Sequence, residues 1–157
     1  MRIYLDTSIP STYFDDRTPD RQEVTRDFWA RASSQDDLFA SGLVLAELEQ
    51  TPSEEKRHRM RNLIAPLKRL AITPEALRLA RVLHQGQLVP ANKLDDAIHL
   101  ALAAVEGMDA VVSWNFRHMV NLKVKQNLPA ILAREGYFRQ FQIIAPYEYT
   151  WEIGEDG

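Results

Sequence analysis

Apolar residues recur along this chain in two alternating rhythms. Short β-prone runs over residues 2–5, 38–40, 70–73, 109–113 and 141–145 predict strands, and between them apolar positions fall at helical spacing. Thr18-Pro19 opens a predicted helix over 18–33, with Val24, Phe28 and Ala32 on the inner stripe and Asp20, Arg21 and Arg31 outside. Ser41 is placed to cap a helix over 43–50, and Pro52 starts a strongly charged one reaching about residue 67. Thr73-Pro74-Glu75 is a cap followed by a proline start, and Gly86 is a stop. Asn92 is the predicted cap of a helix that begins at Leu94 and ends near Gly107. Pro129 begins a last helix over 129–135, stopped by Gly136. Strand and helix in repeating order predict an α/β fold.

The helix from Leu94 contains the pattern's sharpest conflict. It is almost wholly apolar, yet two carboxylates, Asp95 and Asp96, sit in its first turn. At 100° per residue, Asp95 shares a face with His99, Leu102 and Glu106, whereas Asp96 shares one with Leu100, Ala103 and Gly107. The phase therefore turns Asp95 toward water and Asp96 inward. Both acids favour the positive end of the helix dipole, but an inward carboxylate needs a cation or donors to meet it.

Two other acids stand in comparable positions. Asp6 ends the first strand, at the carboxyl edge where open α/β sheets bind ligands, although it also suits a helix cap. Glu47 lies one turn beyond Leu43 and Val44 and shares their apolar face, whereas Glu49 does not. If Asp6, Glu47 and Asp96 converge, their repulsion demands a cation, and hard oxygen ligands select Mg²⁺ or Mn²⁺. Such a site suits phosphodiester hydrolysis. Ser113 and Asn115 follow directly on the 109–113 strand and either add oxygen ligands or cap the turn 116–120.

Composition narrows the field. The 157 residues and 45% apolar content fit one domain over 1–150 with a polar tail at 151–157. There is no cysteine, which excludes disulfides, thiolate metal sites and cysteine nucleophiles and makes a cytoplasmic setting the expectation. No signal-peptide core precedes Asp6, and the low-polarity run at 100–105 is far too short to span a membrane. The net charge of −3 does not advertise nucleic-acid binding, but clustered acids mask local basic patches such as Arg117, Lys123 and Lys125. These are candidates to steer phosphates, with Ser113 beside them.

In order along the chain, Leu5-Asp6-Thr7-Ser8, Ala46-Glu47-Leu48, Asp96-Ala97-Ile98-His99-Leu100-Ala101 and Val112-Ser113-Trp114-Asn115-Phe116 resemble the motifs of PIN-domain nucleases, including the VapC-like toxins of type II toxin–antitoxin pairs. The resemblance covers roughly residues 2–119. It implies a three-layer α/β/α sandwich around a mostly parallel sheet, holding an acidic pocket for Mg²⁺ or Mn²⁺ that cuts RNA. By position, Asp6, Glu47 and Asp96 match the family's acids. At the fourth acidic position this chain offers Asn115, with His118 where another acid is often found. By the same resemblance, Asp6 and Asp96 hold the metal, Glu47 binds it or acts as base, and the partners are RNA, an antitoxin protein and a second copy of the chain. The missing fourth acid supports a rival reading, a PIN-like module with a decayed site that only binds RNA or a protein. A haloacid-dehalogenase-like phosphatase fits poorly, because Ser8 stands where that family has a second aspartate.

Overall fold

The computed structural model describes residues 1–149. Its strands are β1 (Arg2–Leu5), β2 (Asp37–Ser41), β3 (Lys68–Leu70), β4 (Ala110–Val112) and β5 (Gln142–Ile144). Helices α1 (Ser8–Tyr13) and α2 (Pro19–Gln35) join the first two strands, and α3 (Gly42–Leu48) and α4 (Glu54–Ile64) join the next two. Helices α5 (Pro74–Gln85) and α6 (Leu94–Val105) lead to β4, α7 (Leu122–Arg134) to β5, and α8 (Pro146–Tyr149) follows. Among these none is long and apolar enough to cross a membrane.

The sheet order is β3-β2-β1-β4-β5 and all pairings are parallel. From β1 the chain steps outward to β2 and β3, then crosses back to the other side of β1. Right-handed crossovers therefore set α1 to α4 on one face and α5 to α7 on the other, a three-layer α/β/α sandwich. The central strands are buried on both sides, as parallel strands between helices must be: Ile3, Tyr4, Leu5 and all of β4 are in the core. The direction of travel reverses between β1 and β4, so their carboxyl ends form the switch point at which such sheets open a crevice.

Most predicted elements are found within a residue or two, and the exceptions have local causes. The third strand lies at 68–70 rather than 70–73. Lys68 and Arg69 look unlike a strand, but β3 is an edge, where charged side chains reach water. The charged helix is accordingly shorter than predicted, with Ser53 as its cap through a bond from the Lys56 amide. Lys93, not Asn92, stands at the N-cap of α6 and makes no side-chain capping bond. The largest departure is α7, which begins at Leu122 under an Asn121 cap and carries Pro129 in its interior. The predicted tail at 151–157 lies outside the described residues.

Candidate active site

Register brings the first two site residues together. Leu5 pairs with Val112, so the residues that follow, Asp6 and Ser113, emerge side by side at the switch point. Ser113 Oγ donates to Asp6 Oδ2 at 2.6 Å, and Ser8 donates to Asp6 Oδ1 through both its amide (3.1 Å) and its hydroxyl (2.5 Å). Asp6 is only 4% exposed. Burial pushes its carboxyl above the ordinary range, against the pull of the His99 charge and of the Ser113 and Ser8 hydrogen bonds. Ser113 thus serves as the support of Asp6, and it also accepts the Asn115 amide at 2.9 Å.

Glu47 is held by a chain of groups that runs into the core. Thr7 Oγ1 donates to Glu47 Oε1 at 2.9 Å, and His99 Nε2 meets the same oxygen at 2.6 Å. On its other side, His99 Nδ1 lies 2.5 Å from the Tyr4 hydroxyl, which reaches Ser41 Oγ at 2.8 Å. Ser41 also caps α3 by accepting the Val44 amide, so one hydroxyl ties the helix carrying Glu47 to the network beneath it. Burial opposes the charge on His99, but Glu47, Asp6 and Asp96 together raise its pKa above the ordinary value. Burial opposes ionisation of Glu47 as well, yet the hydrogen bond and charge of His99, aided by Thr7, bring its pKa below the ordinary value. Both shifts favour the charged forms of the pair. When the ring is protonated both nitrogens donate, Nε2 to Glu47 and Nδ1 to Tyr4.

The helical phase separates the opening acids of α6 as expected: Asp95 is exposed and Asp96 half-buried. It misplaces His99, which was set on the outward face and is buried. The reason is that α6 has no wet side beyond its first turn. Ala97 to Ala103 are all buried, with α5 packed along the helix. Tyr4, Thr7, Ser8 and His99 are therefore the members of the site that sequence reasoning missed. A histidine one turn after Asp96 in an apolar helix was the available signal.

Asp96 Oδ1 accepts from the Asn115 side-chain amide at 3.3 Å, and Asn115 Oδ1 accepts the His118 amide at 3.0 Å. Of the two roles expected of Asn115, the structure shows the turn cap, made with its carbonyl oxygen, and its nitrogen faces Asp96. The other oxygen, Asp96 Oδ2, is buried and has no hydrogen-bond partner. His118 Nδ1 stands 3.0 Å away, close enough to pair with that oxygen when the imidazole is protonated. Burial raises the Asp96 pKa, against the charges of His118 and His99.

Among the described residues, no three His, Asp or Glu side chains already stand as a ready metal shell. The donor set nevertheless suits a hard cation, because Asp96 offers a buried oxygen that nothing satisfies and the neighbouring acids retain further lone pairs. The basic candidates divide. Arg117 and Lys123 line a groove of about 850 Å³ with His118, Leu88 and Leu122. Lys125 lines a different cavity, about 300 Å³, between α7 and β5. Trp114 is buried, its indole N–H given to Thr25, and Arg21 covers its ring.

The sequence model of the PIN domain matches residues 3–118. Among solved structures, the chain is similar to one of VapBC2 from Rickettsia felis bound to a DNA fragment from its promoter, with 16% identity, a TM-score of 0.57, and 92% of this chain and 98% of that one covered. It is also similar to VapC20 from Mycobacterium tuberculosis, described as a sarcin-ricin loop cleaving toxin, with 17% identity, a TM-score of 0.59, and 74% and 92% covered. At these identities the likeness is one of fold. No curated protein matches the chain.

Proposed function

Because the chain belongs to the PIN-domain family, we propose that it is a divalent-metal-dependent endoribonuclease and the toxin of a toxin–antitoxin pair. One observation carries the reading: Asp6, Glu47 and Asp96, from three separate elements, all bear on a single buried imidazole, His99. Three carboxylates brought from separate elements to a crevice at the sheet's switch point support a cation site there. When bound, Mg²⁺ or Mn²⁺ polarises a phosphoryl oxygen, acidifies a water and offsets charge on the leaving group.

The protein's own residues would do the rest. Asp6, Glu47 and Asp96 supply the oxygen donors. Ser8 and Ser113 fix the two oxygens of Asp6, and His99 and Thr7 fix one oxygen of Glu47. Its second oxygen, Oε2, makes no hydrogen bond among the described residues and is the atom to receive a proton from water. Asn115 orients Asp96. Arg117 and Lys123, in the groove they line together with His118, attract the phosphates flanking the cut. An antitoxin that bears on this acidic crevice and a second copy of the chain are the partners of this reading.

Incubation of the protein with labelled single-stranded and structured RNA, in Mg²⁺ or Mn²⁺, tests it. Cleavage by the wild type, lost in Asp6→Asn and Asp96→Asn with the circular dichroism of the folded protein retained, is the expected result. No cleavage of any RNA under either ion would overturn it in favour of a module that only binds, a reading supported by Asn115 and His118 at positions where acids are usual in the family.

A further inference from the structure

On the α2 side of the sheet's carboxyl edge stands a cation to which the proposed reaction gives no role. The Arg21 guanidinium lies over two rings at once, 5.1 Å from the centre of Trp114 and 5.5 Å from that of Phe116. Arg21 is exposed, and among the described residues no carboxylate pairs with it. Hydrogen bonds fix the arrangement from beneath. The Trp114 indole N–H donates to Thr25 Oγ1 at 2.8 Å, and the Thr25 hydroxyl donates to the Arg21 carbonyl at 2.7 Å, both Trp114 and Thr25 being buried. Phe116 meets Trp114 edge-on, at 72° and 6.1 Å, yet keeps 37% of its surface open to water. The same stretch of chain is tied to the carboxylates of the crevice. The Trp114 amide donates at 2.8 Å to Ser8 Oγ, the hydroxyl that holds Asp6, and Asn115, between the two aromatic residues, donates to Asp96.

An open aromatic ring beside a guanidinium free of carboxylates is a pairing that takes a nucleotide, since the ring stacks any base and the cation meets its phosphate. A polynucleotide offers both features in every unit and runs on into the crevice, whereas a peptide needs an acid and a flat side chain next to each other. Resting on the ribonuclease reading, we propose that Phe116 and Arg21 form a nucleotide subsite at the rim of the crevice, Phe116 stacking one base of the RNA and Arg21 binding the phosphate of that nucleotide. A base held in a duplex stack cannot reach the ring, so the substrate is unpaired at that position.

Fluorescence anisotropy of a labelled single-stranded RNA with the full chain, in chelator so that no metal-dependent cleavage intervenes, tests the subsite apart from the chemistry. Phe116→Ala is expected to weaken binding about tenfold, within the range one stacked base supplies, and Phe116→Trp to keep it. Arg21→Ala is expected to weaken binding and to flatten the slope of log affinity against log salt by about 0.7, the share of one phosphate on a single strand. An abasic unit moved along the RNA gives a test on the wild type itself: at one position it costs about tenfold, and at that position it costs Phe116→Ala nothing. Unchanged affinity in both alanine variants, or no position at which a base is needed, overturns the subsite and leaves the patch to a protein partner, while cleavage of RNA by the wild type in Mg²⁺ or Mn²⁺ keeps the nuclease reading standing. Binding that depends on both residues without cleavage under either ion supports the subsite and overturns the nuclease reading. No binding of any RNA overturns both.

Discussion

At Asp96 the chain places a carboxylate where it is worse off than its neighbours. One oxygen is buried without a partner, and burial holds the group toward its neutral form. An unsatisfied buried polar atom costs about 1–3 kcal/mol, so Asp96→Asn, which neutralises the charge and turns a donor toward His118 Nδ1, is expected to stabilise the metal-free protein by about 1 kcal/mol. In a chain of this size that is a rise of roughly 2–4 °C in Tm, read by calorimetry in the presence of a chelator at pH 7.5. A lower Tm than wild type would show that the residue is satisfied without metal. His99 is the opposite case. Its ring touches Tyr4 and Glu47 and is 2% exposed, so His99→Gln breaks a buried charged pair and is expected to cost about 3 kcal/mol. Chemical denaturation measures that loss, and a change under 1 kcal/mol would remove the network from the stability of the fold.

The elements were legible where their signals are local. Ser41 and Thr73 cap the helices predicted for them, and Asp6 stands at the end of β1 as its acid-after-strand pattern required. Asp96 was legible because one turn of helix is enough to tell inside from outside. His99 was not, since the phase of a helix says which side is inner but not whether the other side is also covered, and α5 covers it. Pro129 misled for a different reason. Proline favours the first turn of a helix, yet here it occupies an interior position in which its missing N–H breaks the bond to residue 125. The Asn121 cap and the buried Val124, Leu128, Ile131 and Leu132 carry the helix through. Pro129→Ala therefore restores a backbone bond and is expected to raise stability by about 1–2 kcal/mol, less than the full ~3 kcal/mol proline penalty because an exposed carbonyl at residue 125 is already hydrated. At the end of the same helix Gly136 holds φ +90°, with nothing within 4 Å of an added Cβ. Gly136→Ala meets no clash, so its expected loss of about 1 kcal/mol is purely conformational. Denaturant midpoints of the two variants, moving in opposite directions, check both.

For the molecule as a whole, the acids of the crevice and the imidazole among them tie folding to pH. Asp6 and Asp96 have folded pKa values above the ordinary 3.8, so the folded state binds more protons and stability falls as pH rises from there through their folded values. His99 has a folded pKa above 6.5, so its contribution is complete below 6.5 and is lost as pH rises through the folded value. Glu47 has a folded pKa below 4.5, and its contribution is present above 4.5 and lost as pH falls through that lower value. Three of these groups thus weaken the fold toward alkaline pH and one weakens it toward acid. On the proposed reading, a cation held by the three carboxylates would reverse the alkaline arm, because it would bind best when they are ionised and would stabilise the folded state by mass action, about 4 kcal/mol at a thousand times its Kd. The Tm measured from pH 4 to 9 is expected to decline above the ordinary histidine pKa of 6.5 with chelator present and to hold level or rise with Mn²⁺. A metal-free profile that climbs through pH 7 would mean that the carboxylates and His99 are not coupled as their burial and contacts dictate.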